Sequence, residues 1–133
     1  MSNPTYNIQD GIYNKLTAST SLNDLVTGIY DYIPSQTEYP YIKLGDMTEV
    51  PWDTFSKRGE TNTTTIHVFS DFRGNKETLN IMDKVSTLLE AADFTVTGYN
   101  LVYCRREFKT VYEEEQGTVR HGVLRFRVMV RET

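Results

Sequence analysis

Two histidines, a single cysteine and a scatter of arginines and carboxylates are all that this 133-residue chain offers to chemistry. His67 and His121 fall in separate segments that read as strands. A catalytic zinc site usually takes three protein ligands, and Cys104 alone provides no zinc-ligand spacing. The histidines therefore read as ordinary strand residues, and no metal or cofactor is expected. Neither a nucleophile elbow, a phosphate loop nor a dinucleotide glycine pattern occurs. The carboxylates are plentiful, but nothing in the sequence pairs them at a cleft. Cys104, inside a strand-like segment, reads as a small buried hydrophobe rather than a nucleophile. The expectation is a protein that is not an enzyme.

The arginines form the clearest pattern. Leu124, Phe126, Val128 and Val130 share one parity, and Arg125, Arg127 and Arg131 share the other, with Met129 as the exception. Alternate side chains of a strand point to opposite faces, so this segment has one apolar face and one cationic face. Arg105, Arg106, Lys109 and Arg120 could join that face, with Tyr99 or Tyr103 beside them. Three readings stay open. The face is solvated, as the outer side of an antiparallel sheet often is. It meets an acidic surface on another copy of the chain. Or it is a cationic, aromatic platform for single-stranded nucleic acid.

Charge distribution bears on that choice. The net charge is −4, which argues mildly against a protein devoted to holding duplex nucleic acid. Up to Phe55 there are two basic and seven acidic residues, and from Ser56 onward twelve basic and eleven acidic. An acidic front and a more basic remainder suit a head-to-tail assembly, in which each copy presents two different surfaces. Two further segments are candidates for subunit or partner contact: Glu113, Glu114 and Glu115 at a turn, and the polar stretch carrying Trp52, Phe55, Lys57 and Arg58. Their bland alternatives are a solvated hairpin tip and a loop whose aromatics tuck back on the core.

The elements that would position these residues can be read along the chain. Asn3-Pro4 has the form of a cap and a first-turn proline, and Ile8, Ile12 and Leu16 follow at helical spacing, predicting a helix over 4–17. Ser21-Leu22-Asn23-Asp24 has capping-box form and predicts a short second helix stopped near Gly28. A brief strand over 29–33 comes next. After Tyr39-Pro40 a strand runs to Pro51, which would disturb a central ladder. Residues 51–60 read as a long surface loop, and the threonine-rich stretch 61–70 as a strand. Gly74-Asn75 precedes a helix over 76–92, with Leu79, Met82, Val85 and Leu89 as its stripe and Ile81 and Leu88 widening it. Residues 95–111 form a strand with an irregularity, 113–117 a turn, and 118–131 the returning strand of a C-terminal β-hairpin. Helices and antiparallel strands mix without strand–helix–strand repeats. This predicts an α+β fold, a mostly antiparallel sheet with helices packed on it, in a single domain over 1–133. The lone cysteine excludes an internal disulfide and fits a reducing compartment. No signal pattern or membrane-length apolar run is present, so no membrane partner is expected.

Several strings in this order resemble one family. Pro40-Tyr41-Ile42-Lys43-Leu44-Gly45 is followed by a polar loop with Lys57 and Gly59, then Thr65-Ile66-His67-Val68-Phe69-Ser70, then Gly74 and a helix carrying Ile81, Val85 and Leu88-Leu89. Together they resemble the tail completion proteins of long-tailed bacteriophages, also called tail terminators or tail-to-head joining proteins, from Pro4 to Arg131. One departure is Phe69, where the family often has tryptophan. The resemblance implies a virion protein of the tail–neck region, assembled in the host cytoplasm. It implies a six-membered homo-oligomeric ring that caps the completed tail tube, stops its polymerisation and joins it to the head connector. Its partners would be other copies of itself, the tail tube protein and the head-completion protein, with DNA passing through the lumen without sequence-specific binding. A head-completion stopper of the neck and a monomeric nucleic-acid-binding module remain as alternatives.

Overall fold

Apolar periodicity decides which side of each element faces inward. The computed structural model describes residues 4–114 and 117–133. It contains α1 (Pro4–Thr17), α2 (Thr20–Asn23), β1 (Ile29–Tyr30), β2 (Tyr41–Pro51), β3 (Gly59–Ser70), α3 (Lys76–Glu90), β4 (Tyr99–Glu113) and β5 (Arg120–Glu132). Asn3, expected to cap α1, and Glu115 of the hairpin turn lie outside the described residues. The strands form one sheet in the order β1-β2-β3-β5-β4. Only the short β1–β2 pair is parallel, and the rest is antiparallel. The fold is α+β, with the C-terminal hairpin built from β4 and β5.

Helices cover one face of this sheet. Ile8, Ile12 and Leu16 of α1 and Ile81, Met82, Val85 and Leu89 of α3 are all fully buried. They meet Ile42 and Leu44 of β2, Ile66 and Val68 of β3, and the even-numbered row Leu124, Phe126, Val128 and Val130 of β5. Cys104 joins this layer from β4. Burial is the main cause that pushes its thiol pKa up to about 12, with Glu90 adding to it, so it stays protonated and unreactive at neutral pH.

Four local expectations shift. Helix α2 is a single turn capped by Ser19, whose hydroxyl accepts from the Leu22 amide at 3.2 Å, rather than a longer helix begun at Ser21. It stops because the Asn23 side chain donates to the carbonyls of Leu16, Thr17 and Ser19, which serves the orphan acceptors ending α1. Strand β1 has two residues only. The 51–60 loop shortens to 52–58, since Gly59 and Glu60 already pair with Arg131 and Val130. Strand β4 starts at Tyr99 instead of Thr95, because Gly98 turns the chain with φ +83°. Its pairing with β5 slips twice, between Leu101 and Tyr103 and between Arg106 and Phe108.

Candidate functional site

With the helices on one side, the other face of the sheet is open. Register builds its rows. At one end Tyr41, Phe69, His121 and Tyr112 sit side by side on β2, β3, β5 and β4. Successive ring centroids are 5.1, 4.3 and 4.9 Å apart, a close-packed row of aromatic rings. The middle rows are cationic. Arg125 lies between Thr65 and Phe108, and Arg127 between Thr63 and Arg105.

Two arginines directly opposite one another repel, and the slip at Arg106/Phe108 relieves this. The extra residue in β4 is Glu107, whose carboxylate accepts from Arg127 Nε at 3.3 Å and lies 3.7 Å from Arg125 Nε. Arg105 and Arg125 rest on the rings of Tyr103 and Phe108, each 4.8 Å from the centroid. Alternation from Arg105 already puts Glu107 on the open face; the bulge, which leaves no mark in the sequence, brings Phe108 onto that face as well.

The two histidines, on the separate strands β3 and β5, meet across the sheet. His67 Nδ1 is 2.8 Å from His121 Nε2. His121 Nδ1 is 2.8 Å from Glu114 Oε1 and 2.7 Å from Tyr112 Oη. A carboxylate only accepts, so Nδ1 of His121 carries the hydrogen it shares with Glu114, and a second hydrogen lies between His121 Nε2 and His67 Nδ1. Gly45 on β2 makes room, since a Cβ there would stand 2.7 Å from His67 Nε2. Burial first, then His121 and Lys43, hold the His67 pKa below the ordinary 6.5, and Asp46 opposes them. The unfolded chain therefore binds this proton more readily than the folded one. The stabilisation is complete above pH 6.5 and is lost as pH falls below it towards the depressed value. Thermal melts between pH 7.5 and 5 should show Tm falling with acid, and His67→Asn should flatten that slope. A slope unchanged by the substitution would count against the assignment.

The candidate contact residues fall into three places. Arg105, Arg125 and Arg127 share the open face. Glu113 and Glu114 stand at the turn beyond the aromatic row, where Glu113 lies 3.5 Å from Arg120 and Glu114 contacts His121. Trp52, Phe55, Lys57 and Arg58 lie at the opposite end of the sheet, where the Arg58 amide donates to Glu132 Oε1 at 3.1 Å. Trp52 packs over Gly59, whereas Phe55 is fully exposed. Beside this loop, burial and then Glu49 and Asp53 raise the Glu60 carboxyl above its usual range, and Arg58 opposes them. Among the described residues no group of three or more His, Cys, Asp or Glu side chains is arranged to hold a metal ion. Among the described residues no helix is long and apolar enough to cross a membrane.

The likenesses to known proteins point one way. A chain in the virion of a native gene transfer agent particle superposes with a TM-score of 0.89, at 24% identity and with 98% of this chain and 99% of that one covered. The gp17 protein of bacteriophage SPP1 has the same fold, with a TM-score of 0.66 at 19% identity over 96% and 95% of the two chains. In sequence, tail completion protein gp17 of Bacillus phage SPP1 is 24% identical over 126 residues, which cover 92% of this chain and 91% of that protein. The family model for tail completion protein gp17 matches residues 10–131. With nearly its whole length inside that match, this chain belongs to the tail completion protein gp17 family.

Proposed function

We propose that this protein is a structural component of a virion tail which assembles as a six-membered ring on the end of a finished tube. One ring face stops further tube subunits from adding, and the other receives the head connector. DNA later passes through the lumen without sequence-specific contact. The observation that carries this reading is membership of a tail completion family over residues 10–131. The family is named for a place in a tail rather than for a reaction, and capping is an act of fit that needs no catalyst.

The arrangement of surfaces supports it. A strand-built body presents loop residues Trp52, Phe55, Lys57 and Arg58 at one end and the Glu113–Glu114 turn at the other. A cap that must match a tube on one side and a connector on the other needs two such ends, displayed on a rigid scaffold. Exposed Phe55 is the aromatic anchor of the first end. Negative-stain electron microscopy of particles assembled without the gene tests the reading. Tails of uncontrolled length, unjoined to heads, are expected. Tails of normal length beside unattached heads would shift the role to a neck stopper, and complete infectious virions would end it.

A further inference from the structure

The two edges of the sheet carry opposite charge. At the β1/β2 edge, Tyr6, Asp10 and Tyr13 fall on one face of α1 at four- and three-residue spacing. With Gln9, Asp31 and Leu44 they line a shallow groove of about 180 Å³. Leu44 is buried, while Tyr6 and Tyr13 are 61% and 41% exposed. Asp10 takes a hydrogen bond from Asn14 at 3.4 Å and Asp31 one from Gln9 at 3.5 Å. Among the described residues, neither carboxylate has a cation within ion-pair distance. Two carboxylates between tyrosine rings suit a guanidinium, which stacks on ring faces and bonds carboxylates in its own plane.

The opposite edge is β4, which pairs on one side only. Arg105, Arg106 and Lys109 are exposed along it, and Arg106 and Lys109 have no acidic partner among the described residues. From β1 to β4 is four strand spacings, about 19 Å at ~4.8 Å each. A side chain on the β4 edge is thus remote from the groove of its own chain.

We propose that the groove lined by Asp10 and Asp31 receives the Arg105–Arg106–Lys109 edge of a second copy of this chain. The pairing joins two different patches, so it is head-to-tail and repeats from copy to copy. It rests on the ring reading above and assigns the ring's flanks, leaving the two ends of the sheet to the tube and the connector. Charge complementarity chooses the occupant: the unpaired cations and the unpaired acids lie on opposite edges of one molecule.

The test uses two full-length variants, Asp10→Arg/Asp31→Arg and Arg106→Glu/Lys109→Glu, with sedimentation velocity and electron microscopy as readouts. All four positions are exposed, and circular dichroism checks that each variant folds. Alone, each should self-associate at least ~10-fold more weakly than the natural chain, since both reversals set like charges face to face. Mixed in equal amounts they should recover closed rings of alternating copies, because each groove then meets an edge of opposite sign. Mere misfolding would not be rescued by mixing. Natural chains that form rings while the variants associate equally well, or while the mixture stays apart, would overturn the groove–edge pairing and leave the ring standing. Natural chains that fail to associate even on tube ends would overturn both.

Discussion

Phe126→Ala should cost about 3–5 kcal/mol of folding stability, the usual loss for truncating a fully buried phenylalanine. Phe126 heads the largest fully buried side chains. It sits on β5, which is flanked by β3 and β4, opposite Thr64 on one side and Arg106 on the other. Neither neighbour in register brings apolar bulk that could relax into the space, so the helices above would have to close it. Domains of this size hold about 5–15 kcal/mol in total, so much of the margin would vanish. A Tm lower by roughly 10–20 °C is expected in a calorimetric scan. The same truncation at Phe55, fully exposed in its loop, should leave Tm within about 2 °C, because little apolar surface leaves water there. Phe55→Ala would act instead on assembly. A drop of less than about 5 °C for Phe126→Ala would mean that the layer between sheet and helices is looser than its burial implies.

Much of this layer was legible in the sequence because burial imposes a period on each element. Ile8, Ile12 and Leu16 announce α1 through spacing alone, and the row Leu124 to Val130 announces both β5 and the side its arginines must take. Pro51 and Gly74 mark ends correctly: β2 stops at the proline, and the glycine turns the chain at φ +75°. What stayed hidden was decided by contacts between distant segments. Nothing in the neighbourhood of Ser19 ranks it above Ser21 as a cap; the choice depends on Asn23 reaching back to α1. The slips in β4 switch the open-face residues from Tyr103 and Arg105 to Phe108, Thr110 and Tyr112, and parity counted straight through them misassigns the second half.

The candidate site shows the same division. Arginines on the open face could be foreseen from alternation, but the β4–β5 register that sets Glu107 between Arg125 and Arg127 could not. His67 and His121 are 54 residues apart in the chain, and only the β3–β5 register makes them neighbours. The groove beside α1 draws on a helix face, the residue following β1 and a strand of the sheet, three pieces that no local pattern links. Overall likeness to a family could still be seen, since it depends on the order of elements and not on which side chains touch.

Gly11→Val should be nearly as damaging as the loss of Phe126, for the opposite reason. Gly11 lies mid-helix in α1, where glycine is unfavourable by about 1 kcal/mol against alanine, so something must require it. A Cβ at this position would fall far inside the contact distance of the Thr95 carbonyl oxygen and 3.2 Å from Phe94 Cδ2. The obstacle is backbone, which cannot swing aside as a side-chain tip could. The helix is also pinned one turn to either side: Asn7 Nδ2 donates to the Thr97 carbonyl at 3.0 Å, and Lys15 pairs with Asp93 at 2.6 Å. Asn7, Gly11 and Lys15 recur every four residues, so the whole stripe lies along segment 93–97. Valine would have to lift the stripe at its centre, at a cost of about 3 kcal/mol, the upper part of the range for overfilled cores. A Tm lower by ~10 °C is expected. Because Asp10 and Tyr13 ride on the same helix, the lifted groove should also self-associate more weakly at temperatures where the variant is still folded. Unchanged melting would show that α1 rests on the 93–97 segment less closely than these contacts require.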